Sequence, residues 1–207
     1  MSAFDARVLR EALGDCLIGR EIVVLEETTS TSDSVLERVH RGAPEGLVVF
    51  AEHQTAGRGQ RVNRWESAAH KGLWFSILLR PKIDIGESSR LSTWAIQLVA
   101  ATIQRELGLD AAVKPPNDVY IAGKKVAGLL VEMRAQRNGP HLAIIGIGIN
   151  VNHAVEDFSE ELRGRAASLA MMLGQQVDRT KLVVALLREL DRSYKIGGSS
   201  APSLDGK

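Results

Sequence analysis

The chain has 207 residues, 44% of them hydrophobic and 25% charged, with a formal net charge of +1. A domain of that size buries roughly 70% of the surface it exposes when unfolded, enough for a core and a preformed pocket. Near-neutrality argues against a broad nucleic-acid surface, and a single cysteine, Cys16, excludes an intramolecular disulfide framework and a zinc cage.

The first twenty residues carry charges throughout and hold no apolar block, so they do not read as a signal peptide. No stretch approaches the ~18 consecutive apolar residues of a membrane span. The expectation is a cytoplasmic protein with no membrane and no nucleic-acid partner.

In chain order, Phe4 to Leu13 predicts a short amphipathic helix with Val8, Leu9 and Ala12 on one side. Glu21 to Glu27 predicts a strand, and a Thr/Ser cluster from Thr28 to Ser32 leads into a helix over Ser34 to Val39. Strands follow over Leu47 to Ala51 and Leu73 to Leu79. The longest helix spans Glu87 to Leu107, with Gly108 as its stop. Val119 to Ile121 and Lys125 to Met133 flank Ala122-Gly123 as a hairpin, and Leu142 to Val151, the most apolar strand, belongs at the sheet centre. A helix over Ser159 to Leu173 and another over Thr180 to Ile196 close the pattern, the latter aligning Leu182, Leu186, Leu190 and Tyr194. One domain over residues 1–196 is expected, with 197–207 a disordered polar tail. Hairpins mixed with helices give an α+β fold with a mixed, largely antiparallel sheet.

Four segments carry chemistry. Gln54-Thr55-Ala56-Gly57-Arg58-Gly59-Gln60-Arg61-Val62-Asn63-Arg64-Trp65 directly follows a strand. Its glycines let backbone N–H groups approach an anion, its arginines add charge, and Trp65 offers a flat face for a base. It is neither a Walker loop nor a dinucleotide fingerprint, and alone it also reads as a solvated basic loop. Lys114-Pro115-Pro116-Asn117-Asp118 places an amine, an amide and a carboxylate on a stiff, extended approach to a strand, suited to phosphate, base and magnesium. A stiff strand entry with an Asx turn is the bland alternative. In Lys125-Val126-Ala127-Gly128, alternation puts Lys125 and Ala127 on one face and Val126 and Gly128 on the other. Such a lysine suits an acid or phosphate, though exposed hairpin lysines are commoner. Gly146-Ile147-Gly148-Ile149-Asn150 puts glycines inside a strand, which marks a bulge or a close approach.

No serine nucleophile elbow, His-Glu-x-x-His motif or Cys/His cluster occurs, and Cys16 reads as a small hydrophobe. The chemistry indicated is charge stabilisation by Arg, Lys and backbone N–H, without a covalent enzyme intermediate.

In order and spacing, Ser30-Thr31-Ser32, Gly57 to Trp65, Lys114 to Asp118, Lys125 to Glu132 and Gly146 to Asn150 resemble the motifs of the biotin–protein ligases. The resemblance covers about residues 20 to 195. It implies the catalytic fold shared by biotin and lipoate ligases, similar to class II aminoacyl-tRNA synthetases. It also implies a two-step reaction: biotin and ATP give biotinyl-adenylate, and a lysine of a carboxylase's biotin carboxyl carrier domain then takes the biotinyl group. Magnesium would be held through the phosphates, and a homodimer is compatible with the family.

By position in those motifs, Lys125, Arg58, Arg61 and Lys114 would be catalytic. Ser30, Thr31, Ser32, Gln54, Gly57, Arg58, Lys125 and Gly128 would bind biotin, and Gly59, Gln60, Arg61, Trp65, Asn117 and Asp118 would bind ATP and adenylate. Three residues depart from the pattern: Gln60 where many members have Arg, Val62 for a glycine, and Pro115 for a tryptophan. Neither the winged helix nor the small C-terminal β-barrel of some members is recognisable. The alternatives on the same fold are a lipoate or octanoate ligase or transferase, and a biotin-binding module without turnover.

Overall fold

In the computed structural model, which describes residues 4–60, 64–136 and 139–196, the strands predicted from apolar runs assemble into one sheet. Its strands are β1 (Glu21–Thr28), β2 (Leu47–Gln54), β3 (Gly72–Leu79), β4 (Ala112–Lys114), β5 (Asp118–Ile121), β6 (Lys124–Arg134) and β7 (Leu142–Asn150). They lie in the order β1-β2-β3-β7-β6-β5-β4. β1 and β2 run parallel, and the remaining neighbours are antiparallel. β7 is central, as its unbroken apolar run requires of a strand covered on both faces.

The helices are α1 (Ala6–Leu13), α2 (Thr31–Val39), α3 (Ser88–Leu107), α4 (Glu160–Arg163), α5 (Leu169–Leu173) and α6 (Arg179–Ile196). Asp5 caps α1 by accepting from the Arg7 N–H, and Gly108 ends α3 in the left-handed conformation that glycine adopts freely. The aligned Leu182, Leu186, Leu190 and Tyr194 of α6 are all buried.

Register sorts the side chains onto two faces. Phe50, Phe75, Ile145, Ile147 and Ile149 share the larger core with α1, α3 and α6. The opposite face carries Val49, Leu78 and Ile144 under Val35 of α2. Val35 is fully buried, and burial of such a side chain stabilises by about 1.5–3 kcal/mol. α2 covers only one end of this face. Beyond it the same face is paved by Ser76, Gly146, Gly148 and Gly128, whose small side chains leave room.

The larger core also contains a charge pair. Arg179 donates to both carboxylate oxygens of Glu52, at 2.7 and 3.2 Å, and to the Gly72 carbonyl at 3.0 Å. The Phe4 N–H donates to Glu52 at 3.0 Å, so this network ties the N-terminal segment, β2, β3 and α6 together.

Three expectations need correction. The helix over Ser159 to Leu173 is two short helices, α4 and α5. Between them the chain pairs with β6: Lys125 N–H donates to Arg165 O at 2.9 Å, and Ala167 N–H donates to Lys125 O at 3.0 Å. Gly164 weakens continuation, and Ser168 caps the new helix by accepting from the Met171 N–H. Val8, placed on the apolar side of α1, is 51% exposed, while Leu9 and Leu13 are buried. Pro115 and Pro116 form a turn rather than an extended approach, because β4 and β5 make a hairpin pairing Lys114 with Asp118. β4 itself has three residues, too few for a periodic signal. The expected tail over 197–207 lies outside the described residues.

Candidate functional site

The cleft opens where α2 stops covering the sheet. Ser30, Thr31 and Ser32 start α2, Gln54 ends β2, and Ser76 comes from β3. Their side chains form one hydrogen-bonded cluster. Gln54 Oε1 accepts from Thr31 N–H at 2.8 Å and from the Thr31 hydroxyl at 3.1 Å. Ser76 Oγ lies 2.7 Å from Thr31 Oγ1 and 3.0 Å from Ser32 Oγ. Buried hydroxyls retain such partners because an unmet one costs about 1–3 kcal/mol.

From this cluster a trough runs along β7 and β6, floored by Gly146, Gly148 and Gly128. A Cβ on Gly148 would come within 2.5 Å of the Trp65 ring, and one on Gly128 within 2.9 Å of it. These strand glycines therefore mark a close approach, here by an indole from the following loop. Trp65 meets Trp74 edge-on at 6.0 Å, and its buried Nε1 has no partner among the described residues.

Three described cations line the cleft: Arg58, Arg64 and Lys125. Arg58 donates to Asp33 of α2 at 2.6 Å and to Glu132 of β6 at 3.1 Å. Desolvation opposes its charge, but hydrogen bonds and attraction from these carboxylates prevail and push the guanidinium's pKa up. Lys125 Nζ lies 2.7 Å from Asp118 and 5.2 Å from the centre of the Trp65 ring.

The cavity measures about 150 Å³, and its lining includes Ser30, Thr31, Ser32, Gln54, Arg58 and Gly59. Gln60, Trp65, Asn117, Asp118, Lys125 and Gly128 line it too. Of the other expected residues, Gly57 is buried beneath the loop, where a Cβ would strike the Trp65 carbonyl at 2.5 Å. Lys114 is not among the lining residues; it sits on the short outer strand with Nζ 4.7 Å from the Tyr120 ring centre. Arg61 and Val62 lie outside the described residues. Asn117 spends an amide N–H on the Leu129 carbonyl at 2.5 Å, so its mount is as much structural as chemical.

Lys125 and Gly128 were expected on opposite faces. Instead a Cβ on Gly128 would lie 3.1 Å from Lys125 Cε. The pairing of β5 with β6 steps from Val119↔Ala127 to Tyr120↔Lys125, leaving Val126 as the extra residue of a bulge. One extra residue reverses the alternation, which turns the lysine toward the glycine side.

Sequence reasoning missed Ser76 and Asp33, and it gave no site role to Arg64 or Glu132 although both lie within the segments singled out. A serine inside an apolar strand was the one legible signal, since β3 is otherwise fully hydrophobic from Leu73 to Leu79. The carboxylate partners of Arg58 come from distant elements and leave no local pattern. Burial pushes the pKa of the Cys16 thiol up, in keeping with an inert small side chain. Among the described residues no group of three or more His, Cys, Asp or Glu could hold a metal, and no helix is long and apolar enough to cross a membrane.

Comparison with known proteins gives one consistent answer. Residues 24–150 match the model of the biotin/lipoate A/B protein ligase family. The bifunctional ligase/repressor BirA of Bacillus subtilis is 35% identical over 187 residues, covering 90% of this chain and 58% of that protein. The biotin–[acetyl-CoA-carboxylase] ligase of Mycobacterium tuberculosis is 32% identical, covering 90% of this chain and 69% of that one. The biotin protein ligase from Aquifex aeolicus in complex with biotin and ATP superposes with a TM-score of 0.73 at 30% identity, over 87% of this chain and 74% of that chain. The chain thus spans less than two thirds of the length of the Bacillus relative.

Proposed function

From the premise that the chain belongs to the biotin/lipoate A/B protein ligase family, we propose that it activates biotin with ATP and passes the biotinyl group to a carrier-protein lysine. One observation carries this reading. A single cleft joins a hydroxyl and amide cluster, suited to a ureido ring, to a set of cations, across a floor of glycines. A ligand polar at one end, apolar in the middle and anionic at the other fits that sequence of surfaces.

In the first step a carboxylate oxygen of biotin attacks the α-phosphorus of ATP. The bond from that phosphorus to the bridging oxygen breaks, and pyrophosphate leaves with the electron pair. Lys125 neutralises charge between carboxylate and α-phosphate, and Arg58 closes over the adenylate once it exchanges Asp33 and Glu132 for phosphate. Ser30, Thr31, Ser32 and Gln54 hold the ureido ring, while Gly128 keeps the trough floor low and Gly57 acts from beneath by letting the loop close over it. Gly59, Gln60 and Arg61 wrap the adenylate, Trp65 supplies a flat wall, and Asn117 meets adenine through its side-chain oxygen. Lys114 contributes to phosphate binding only if the Pro115-Pro116 turn brings it inward. Magnesium, carried in on the phosphates, supplies further charge neutralisation, and Asp118 is a carboxylate of the lining that would help hold it.

In the second step the neutral ε-amine of a lysine on a biotin carboxyl carrier domain attacks the acyl carbon of the mixed anhydride. The C–O bond breaks, AMP leaves, and the amine proton passes to solvent.

The test is pyrophosphate release on mixing the protein with biotin and Mg-ATP. Biotin-dependent release that lipoate does not support is expected. Release that depends equally on lipoate, or none with biotin, overturns the proposal.

A further inference from the structure

Ser76 lies wholly inside the protein, at 0% exposure, and it is not among the residues lining the cleft. Yet it touches two residues that do, Thr31 and Ser32, and donor counting fixes what it does to them. The Thr31 backbone N–H can only donate, so the Gln54 atom it meets at 2.8 Å is the carbonyl oxygen. That oxygen can only accept, so the Thr31 hydroxyl, 3.1 Å away, gives its single hydrogen to Gln54. The 2.7 Å contact between Thr31 and Ser76 then needs the hydrogen of Ser76. With that hydrogen spent, the 3.0 Å contact between Ser76 and Ser32 needs the hydrogen of Ser32.

The chain of bonds runs one way: Ser32 to Ser76 to Thr31 to Gln54. Ser32 therefore enters the cleft with its hydrogen turned inward and its lone pairs outward. Its Oγ stands where a Cβ on Gly146 would be 3.1 Å away, at the floor of the trough. Gln54, with its oxygen doubly used, has its amide N–H groups left to donate. Ser30 begins α2 without a side-chain cap bond, so among the described residues its hydroxyl is not spent on the helix and can donate as well.

We infer that Ser76 is a positioning residue for ligand selection, holding Ser32 as an obligatory acceptor beside donors so that the cleft prefers a ring bearing N–H next to C=O. This rests on the biotin reading and deepens it. A cyclic urea presents both groups, whereas a dithiolane or an alkyl chain presents neither and would strand the buried acceptor and donors.

Calorimetry with biotin, and competition by lipoate, on the wild type, Ser76→Ala, Ser32→Ala and the double variant tests the inference. Loss of one neutral hydrogen bond predicts about tenfold weaker biotin binding for Ser76→Ala, with lipoate binding unchanged. Because Ser76 acts through Ser32, the double variant should bind biotin no more weakly than Ser32→Ala alone. Ser76→Thr, which keeps the hydroxyl, should restore most of the preference and guards against a folding defect. A wild type that prefers biotin, with Ser76→Ala weakening both ligands equally or the two losses multiplying, overturns the inference alone. A wild type indifferent between biotin and lipoate overturns the biotin reading and this inference together.

Discussion

Gly148→Ala adds one methyl group at the most crowded point of the trough. The new Cβ would sit 2.5, 2.7 and 2.8 Å from Cε2, Cζ2 and Nε1 of Trp65. Carbon atoms settle at about 3.5–4.0 Å, so something must yield by roughly 1 Å. The backbone cannot, because β7 is central and Gly148 is paired with Trp74 on one side and Gly128 on the other. The indole must leave its place over the two glycines, and overpacking of this kind costs about 1–3 kcal/mol. Gly164→Ala is the control: its backbone is right-handed helical and a Cβ there meets nothing within 4 Å. There the loss of unfolded-state freedom should stabilise by about 0.4–1 kcal/mol. Urea unfolding measures the stability, tryptophan emission the displacement, and calorimetry with biotin the effect on the cleft. A Gly148→Ala protein with wild-type stability, emission and biotin affinity would refute the claim that Trp65 rests on these glycines.

Lys125→Ala should slow biotinyl-adenylate formation by about two to three powers of ten, read as pyrophosphate release, while leaving the unfolding midpoint close to wild type. Near-normal turnover would make Lys125 an ordinary hairpin lysine. Arg179→Met should cost about 3–5 kcal/mol in urea unfolding, because it takes the guanidinium from the fully buried Glu52 carboxylate and leaves it the Phe4 N–H and the nearby His70, and a loss below about 1 kcal/mol would contradict the pairing. His153 is 97% shielded by the fold, and burial lowers its pKa to about 4, with Asp157 only partly opposing. The unfolded state therefore binds the proton first, so stability should fall as pH drops from about 6.5 to about 4 and level off below, by about 3 kcal/mol in all. His153→Phe should flatten that segment of the stability–pH curve.

The sheet was legible wherever a strand is long and apolar. Leu142 to Val151 announces a central strand, and Ala122-Gly123 announces its hairpin, which the structure closes with φ of 48° and 76° at those residues. The long helix and its Gly108 stop were legible for the same local reasons. What stayed hidden depends on partners far apart in the chain. The bulge at Val126 falls where β6 pairs with β5 and, at Lys125, with the Arg165–Ala167 segment, and no residue near Val126 signals it. The break between α4 and α5 lies at that same pairing. The cleft shows the same division. Twelve of the expected residues line it because glycine, serine and arginine motifs are local. Ser76 and Asp33 went unseen, and Glu132 was given no role, because each matters only through a contact across elements.

Those hidden carboxylates change how the cleft's charge should be understood. In the sequence, Arg58 and Lys125 read as bare cations waiting for phosphate. In the structure each is already paired, Arg58 with Asp33 and Glu132, and Lys125 with Asp118. These side chains are between 22% and 42% exposed, and pairs that wet contribute only about 0.2–1 kcal/mol each. That is small beside the charge-assisted bonds a phosphate forms, so exchange of partners is cheap for the right ligand. It is enough, however, to keep the cations oriented before a ligand arrives. Asp33 is on α2, which also carries Thr31 and Ser32, and Glu132 is on β6, which also carries Lys125 and Gly128. Arg58 thus bridges the two elements that hold the polar end and the anionic end of the cleft. A ligand that draws Arg58 onto its phosphate breaks that bridge and supplies its own, spanning from the hydroxyl cluster to the cations. On the proposed reading, occupancy of one end would in this way be coupled to the other through a residue that touches both walls.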